Sequence, residues 1–156
     1  MVTTLTGRKA KNPGAGAVRH SVGGPAGKAR GAAFTPARLI AALRAGLPYA
    51  ELEELQARLQ TPLDQLLPRL DISKATLHRR KAAGRLEPAE SDRVLRFARL
   101  LGRAVTVMES EDQARRWLNS PQMGLGGAIP LDYADSEVGA REVEDLLGRI
   151  EYGVYS

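Results

Sequence analysis

The residues with the most evident chemistry lie between positions 73 and 85, in the stretch SKATLHRRKAAGR. This stretch holds five Lys or Arg and no Asp or Glu. The side chains in it that could contact DNA are Ser73, Lys74, Thr76, His78, Arg79, Arg80 and Lys81. On a helix in the major groove, Arg or Lys can donate to guanine edges, and Ser or Thr can reach a base or phosphate. The pattern favours a DNA-reading helix over the alternative, an ordinary helix with a solvated basic face.

A second group of residues stands at the C-terminus. The chain has only four tyrosines, and Tyr152 and Tyr155 lie within its last five residues. Terminal residues usually pack little, so these side chains either fold back onto their own domain or contact a partner. A tyrosine offers a large contact area at small entropic cost, and its hydroxyl can bond polar groups in a cleft. Arg149 and Glu151 are expected on the exposed side of the same turn, where they could pair with charged groups of a partner.

The sequence shows no arrangement typical of catalysis. His20 and His78 are the only histidines and there is no cysteine, so the acidic half has no candidate for a histidine-based triad or a thiolate site. The GLGG stretch at 124–127 lacks the Lys of a phosphate-binding loop. We therefore expect a protein that is not an enzyme and has no metal or cofactor.

The elements that position these residues are predicted to be helices, which makes the fold class all-α. From Phe34 onward apolar residues recur at helical spacing, with no convincing alternation typical of strands. Helix starts are indicated at Thr35-Pro36, Pro48, Thr61-Pro62, Ser73, Pro88, Glu111 and Ser136. Thr61 with Asp64 resembles a capping box, and Gly84 and Gly153 are expected to end their helices.

Residues 62–83 have the layout of a helix-turn-helix. A short apolar helix is followed by a tight turn at LDIS, where Asp71 tolerates the left-handed conformation better than most residues. Leu77 should point into the domain. In the first helix, Leu39, Ile40 and Leu43 should form an apolar face. The residues of the second half assigned to the core are Trp117, Leu118, Leu125, Leu131, Val143, Leu146 and Leu147.

The formal charge of +5 is unevenly distributed along the chain. Residues 1–33 hold six Lys or Arg and no acid, whereas residues 109–156 hold ten Asp or Glu and four Arg. The predicted organisation is a disordered basic tail at 1–33, a helix-turn-helix DNA-binding domain at 34–90 and a second helical domain at 91–156. The tail either contacts DNA phosphates weakly or is a solvated leader.

Partners and location follow from the same features. No apolar run approaches the roughly 18 residues that span a bilayer, so we expect a cytoplasmic protein with no membrane partner. One helix-turn-helix with few phosphate contacts binds DNA weakly at physiological salt. A homodimer is therefore expected, presenting two reading helices about 34 Å apart.

The second half of the chain resembles a known family. SDRVLRFARLLGRAV and ARRWLNSPQMGLGGAIPLDYADSEVGAREVEDLLGRIEYG, at about 91–153, are similar to the Xre/MbcA/ParS-type toxin-binding domain of bacterial type II antitoxins. With TLHRRKAAGRLEPAES before it, the resemblance extends to the Xre-like helix-turn-helix of antitoxins paired with RES-domain toxins. It depends on Trp117-Leu118 followed by a Pro, the LGG turn, Pro130-Leu131-Asp132, Gly139 and LLGRIEYG, in this order and spacing.

The resemblance implies an antitoxin with two partners inside a larger toxin-antitoxin complex. Its N-terminal half would bind its own operator DNA, and its C-terminal region would cover the active-site cleft of a cognate RES-domain toxin, an NAD-degrading enzyme. The residues predicted to bind the toxin are Arg149, Glu151, Tyr152, Gly153, Val154, Tyr155 and Ser156. The alternative is a stand-alone helix-turn-helix transcription regulator whose C-terminal domain dimerises or senses a ligand.

Overall fold

The computed structural model of the chain describes residues 35–153, and within this range it is helical with no strand. The predicted basic tail at 1–33, Phe34 and the predicted toxin contacts Val154, Tyr155 and Ser156 lie outside the described residues. The helices are α1 (Pro36–Ala45), α2 (Tyr49–Leu59), α3 (Leu63–Arg69), α4 (Lys74–Ala83), α5 (Pro88–Met108), α6 (Glu111–Leu118), α7 (Pro130–Tyr133) and α8 (Glu137–Glu151), with a 3₁₀ turn at Met123–Leu125. The all-α prediction is confirmed.

Most helices begin where their local capping signals indicate. The Thr35 side chain caps α1 by accepting from the Arg38 amide at 3.3 Å, and Ser136 does the same for α8 with the Gly139 amide at 3.1 Å. These bonds satisfy amides that the first turn of a helix leaves without a partner. Short-range chemistry alone therefore determines these starts.

Helix α3 begins differently from the prediction. Its N-cap is Pro62, which has no side chain able to accept a hydrogen bond. Thr61 is buried, and its hydroxyl donates to the Leu59 carbonyl at 3.4 Å. The chain turns through Gln60 in the left-handed conformation, with φ at 49°. The predicted capping box of Thr61 with Asp64 is wrong, because the preceding helix end takes the Thr61 hydroxyl.

Helix α5 is the central element of the fold. Its 21 residues extend about 31 Å. Helices α1, α2, α6 and α8 all contact it. One hydrophobic core therefore runs along α5, and it includes Leu52 and Leu66 from the first half and Val143 and Leu147 from the last helix. The predicted border at residues 90 and 91 falls in the first turn of α5, where the two halves share this core.

Two features differ from the predicted core. No residue of α1 is buried: Leu39 and Leu43 of its predicted apolar face are half-buried, and Ile40 is 48% exposed. Trp117 and Leu146 are partly buried at the margin of the core, whereas the other five assigned residues of the second half are buried. The short helix α7 was not predicted, since four residues are too few to show a helical period.

Candidate functional sites

Helix α4, which carries the basic stretch, lies on the surface of the first half. None of its residues is buried, although Leu77 packs partly against the core. The Ser73 hydroxyl caps the helix by accepting from the Thr76 amide at 3.1 Å. Before it, Asp71 takes the left-handed conformation at φ 53°, and buried Ile72 anchors the turn. The predicted cap and turn are confirmed, and they hold the start of α4 in place.

The outward face of α4 is rich in cations. Of the residues predicted to contact DNA, those with exposed side chains are Ser73, Lys74, His78, Arg79 and Lys81. Lys74, His78 and Lys81 are four and three positions apart, so they share one side of the helix. Next to them, Arg79 donates to the half-buried Thr76 hydroxyl at 3.0 Å. This arrangement can enter a major groove and present several donors to it.

Arg80 lies apart from the other predicted DNA contacts. Its Nε donates to the Glu90 carboxylate at 2.8 and 3.1 Å, and Glu87 lies 3.7 Å from another guanidinium nitrogen. Glu90 also accepts from the Glu87 amide at 2.9 Å as part of the capping box of α5. The bond joins α4 to the first turn of α5, so this geometry supports a role for Arg80 in orienting α4. Direct contact of Arg80 with DNA stays a prediction.

The bond with Arg80 stabilises the charged form of the Glu90 carboxylate. Its side chain is only 9% exposed. Burial by itself raises the pKa of Glu90, but the hydrogen bonds from Arg80 and the Glu87 amide outweigh it, and the pKa lies below its ordinary value. The charged form is therefore the stable one in the folded protein.

Replacing Glu90 with Gln is expected to lower the free energy of unfolding by about 2 kcal/mol at neutral pH. The neutral amide of Gln replaces a carboxylate, so its hydrogen bond with the charged Arg80 guanidinium is weaker. A folded-state pKa below the ordinary value means that the natural chain holds this stability above about pH 4.5 and loses it as the pH falls through the folded pKa. The gap in melting temperature between natural chain and variant should thus narrow in acid. Thermal unfolding of both proteins from neutral to acid pH measures this difference in melting temperature. A difference that does not change with pH would contradict the prediction.

Helix α8 carries the predicted toxin contacts at its end. The helix ends at Glu151, and Gly153 follows in the left-handed conformation at φ 67°. The Tyr152 side chain is 78% exposed. Within residues 35–153 little covers the Tyr152 ring, and this exposure favours contact with a partner over packing inside its own domain.

Arg149 and Glu151 have different surroundings. Arg149 is half-buried and makes no ion pair with residues 35–153. Glu151 pairs with Arg103 of α5, so its carboxylate is directed toward the neighbouring helix. Contact of either residue with a toxin stays a prediction, and the geometry of Glu151 favours a role in holding the last turn of α8.

The pair at Glu151 is the end of a ladder that joins α5 to α8. Arg99 bonds Glu144 at 2.5 Å and Glu137 at 3.0 Å, and Arg96 lies 3.4 Å from Glu137. Burial raises the pKa of Glu137, but these guanidinium groups outweigh it and lower the pKa overall. Such pairs are individually weak near a surface, but they specify the register of α8 on α5. The seven-residue spacing of the three glutamates is a signal in the sequence that could have identified this contact.

Polar contacts also join the two halves of the fold around a groove of about 610 Å³. Arg69 of α3 donates to Asp132 at 2.7 Å and to Asn119 at 3.0 Å. Arg58 of α2 pairs with Glu111 at 2.8 Å. These contacts join α2 and α3 of the first half to α6 and α7 of the second half.

Between residues 35 and 153 no group of three or more His, Asp or Glu side chains could hold a metal ion. No helix in the same range is long and apolar enough to cross a membrane.

Comparison with known families gives two matches that follow each other along the chain. Residues 38–99 match a family model described as the antitoxin Xre-like helix-turn-helix domain. Residues 102–153 match one described as the antitoxin Xre/MbcA/ParS C-terminal toxin-binding domain. The first match runs from α1 into α5 and includes α4. The second match includes α6 to α8 and the exposed Tyr152.

Similar proteins of known name agree with these matches. The chain is 32% identical over 120 residues to the antitoxin Xre of Yersinia enterocolitica, covering 76% of this chain and 81% of that one. It is 33% identical, with the same coverage, to the antitoxin Xre of Photorhabdus laumondii. A protein of a Sphingobium species named Prs ADP-ribosylating antitoxin is 25% identical over 132 residues, covering 78% and 83% of the two chains.

Proposed function

The chain belongs to the Xre family of antitoxins, with a helix-turn-helix domain before a toxin-binding domain, and on this premise we propose that it neutralises a RES-domain toxin that degrades NAD. In this proposal the C-terminal residues, from Tyr152 onward, enter the active-site cleft of the toxin. The antitoxin itself does no chemistry and acts by occupying the cleft. The observation that carries the proposal is the exposed Tyr152 ring at the end of α8.

The choice of toxin rests on the resemblance of residues 91–153 to antitoxins of RES-domain toxins. ADP-ribosylation uses NAD as its donor, so the name of the Sphingobium relative supports a partner that acts on NAD. The stand-alone regulator is set aside because residues 102–153 match a toxin-binding domain.

The proposal requires the neighbouring reading frame to encode a RES-domain protein, and that protein is used to test the toxin partner. The toxin alone should consume NAD and arrest growth. Co-expression of the antitoxin should restore growth, and the two proteins should purify together. NAD consumption that is unchanged by a molar excess of the antitoxin would contradict the proposal.

The second part of the proposal concerns operator DNA in the cytoplasm. The exposed cations of α4 enter the major groove, and a homodimer places two such helices on two half-sites. Binding there represses the operon that encodes the antitoxin and its toxin. The orienting bond of Arg80 with Glu90 supports this, because a reading helix needs a fixed orientation on its domain.

Replacing Arg79 with Ala is expected to weaken operator binding about tenfold or more, since a bidentate contact with a base contributes roughly 1 to 3 kcal/mol. The melting temperature should stay the same, because the Arg79 side chain is exposed. Arg141→Ala on α8 is the matched control, with an equal change of charge at an exposed position. Titration of operator DNA by fluorescence anisotropy measures the effect, and equal affinities of the two variants would refute the assignment of α4.

A further inference from the structure

Helix α8 has one side that is largely open to solvent in the structure of residues 35–153. Its buried side packs on α5 through Val143 and Leu147, and a flank pairs with the arginines of α5. The remaining side consists of residues spaced by four, three, four and three positions, which places them on one stripe of the helix. We call this stripe the α8 outer face: Val138, Glu142, Asp145, Arg149 and Tyr152. It is about 21 Å long.

The two ends of the α8 outer face are apolar and open to solvent. Val138 is 73% exposed and Tyr152 is 78% exposed. Single exposed apolar residues are ordinary, but several in one region indicate a contact surface. Four of the five strongly exposed large apolar residues in the described range lie within residues 102–153, the part that matches the toxin-binding domain: Met123, Tyr133, Val138 and Tyr152.

Met123 extends this surface from the side. The turn that carries it lies against α8, because a Cβ on Gly124 would come within 2.6 Å of the Leu146 side chain. Leu146 follows Asp145 and therefore borders the α8 outer face. The turn is held by buried Leu125, while the Met123 side chain is 93% exposed. A methionine presented in this way is suited to contact an apolar partner surface of irregular shape.

The centre of the α8 outer face is acidic. Glu142 and Asp145 are exposed and make no ion pair with residues 35–153, whereas Glu137, Glu144 and Glu151 pair with arginines of α5. The acidic residues of α8 are thus of two kinds: three bind α5, and two face solvent. Open acids complement a basic partner surface, and an enzyme that binds the pyrophosphate of NAD needs basic groups near its cleft.

We propose that the α8 outer face, together with Met123, is the surface on which the toxin docks, beside the mouth of its NAD cleft. The surface leads directly to Tyr152, where the chain continues into the last residues of the proposed cleft insert. Docking along α8 would therefore deliver those residues to the cleft. This inference rests on the proposed function and extends it from the C-terminal residues to a helix face.

The apolar part of the surface is tested with a Val138→Lys and Met123→Lys variant. Both side chains are exposed, so the fold should be retained, which circular dichroism checks. The dissociation constant for the purified RES-domain toxin should rise at least about tenfold, as expected for loss of apolar contacts that the complex buries. Ile40→Lys is the control, because Ile40 is an exposed β-branched residue on α1. The dissociation constant of this variant for the toxin should stay within about twofold of the natural value.

The acidic part is tested by reversing charge with Glu142→Lys and Asp145→Lys together. The association rate with the toxin should fall, and its dependence on salt should weaken or change sign. Glu53→Lys with Asp64→Lys makes the same change of net charge at exposed positions of the first half and should leave the rate close to natural.

The outcomes separate this inference from the proposed function. If the natural chain binds and inhibits the toxin while the Val138→Lys and Met123→Lys variant binds equally well, the docking surface is wrong and cleft occupation stands. If this variant keeps its affinity for the toxin but loses self-association in sedimentation velocity, the surface joins two copies of the chain and the inference is overturned. If the natural chain binds no RES-domain toxin, the proposed function itself fails. Weakened toxin binding with unchanged self-association is the expected result.

Discussion

Deletion of residues 153–156 is expected to weaken inhibition of the toxin strongly while leaving the helices of the antitoxin intact. Among residues 35–153, Leu147 is the last residue in the hydrophobic core and Tyr152 is largely exposed, so the deletion removes no residue of the described core. If the removed residues occupy the NAD cleft, the concentration of antitoxin needed for half inhibition should rise by about two orders of magnitude, as for loss of a hot spot. NAD consumption by the toxin at increasing antitoxin concentration measures this.

Three controls make the deletion informative. The dissociation constant for the toxin should rise less than the concentration for half inhibition, because the α8 outer face remains. Operator binding should be unchanged, since α4 lies in the other half. Deletion of residues 1–33 at the opposite terminus should leave inhibition at its natural level. Full inhibition by the protein lacking residues 153–156 would show that the cleft is blocked by another part of the chain.

Replacing Gly139 with Ala is expected to unfold or displace α8. A Cβ at this position would lie 1.8 Å from the Tyr133 carbonyl oxygen, which is backbone and cannot rotate away. Helix α8 would have to move from α7, and Gly139 is itself buried. We expect a loss of about 3 kcal/mol in the free energy of unfolding, which corresponds to a fall of roughly 10 °C in melting temperature. Toxin binding should weaken with it, because Val138 and Tyr152 are carried by α8.

Gly148→Ala on the same helix is the matched control for Gly139→Ala. The nearest atom to a Cβ at Gly148 is the Arg103 guanidinium at 3.9 Å, which is ordinary contact. Alanine also favours a helix over glycine by about 1 kcal/mol, so this variant should be as stable as the natural chain or more so. Scanning calorimetry of both variants gives the comparison. Equal melting temperatures would mean that α7 and α8 are not packed as closely as described.

Helix starts and ends were predictable because their causes are local. Ser73 caps α4, Gly84 ends it at φ 72°, and Asp71 takes the left-handed conformation in the turn, as their residue types indicate. Pro88 at the first position of α5 is another case. Each signal acts within three or four residues, so it can be identified in the sequence before the fold is known.

Prediction failed where a local signal competed with packing. Thr61 has the residue type of a helix cap, but its burial and the end of α2 direct the hydroxyl to Leu59. Ile40 belongs to the apolar spacing of α1, but the described fold leaves it exposed. How much of a helix is buried depends on elements that are distant in the sequence. The spacing of apolar residues within the helix does not contain this information.

The candidate sites divide in the same way. The basic residues of α4 and the tyrosine at the end of α8 were identified by residue type and position alone. The structure then shows that Arg80 and Glu151 make ion pairs inside the fold. Their partners, Glu90 and Arg103, belong to helix α5. A side chain with a strong charge can serve a partner or its own fold, and only its neighbours in space decide between the two.

The sequence by itself determined that this chain is an all-α protein with a basic helix-turn-helix and an acidic helical half, because caps, turns and helical periods depend on neighbours along the chain. The tertiary structure decided which charged residues are used internally and which side of α8 remains open. The reason is physical: ion pairing and burial depend on atoms brought together from positions 10 to 63 residues apart, such as Arg80 with Glu90 and Arg69 with Asp132.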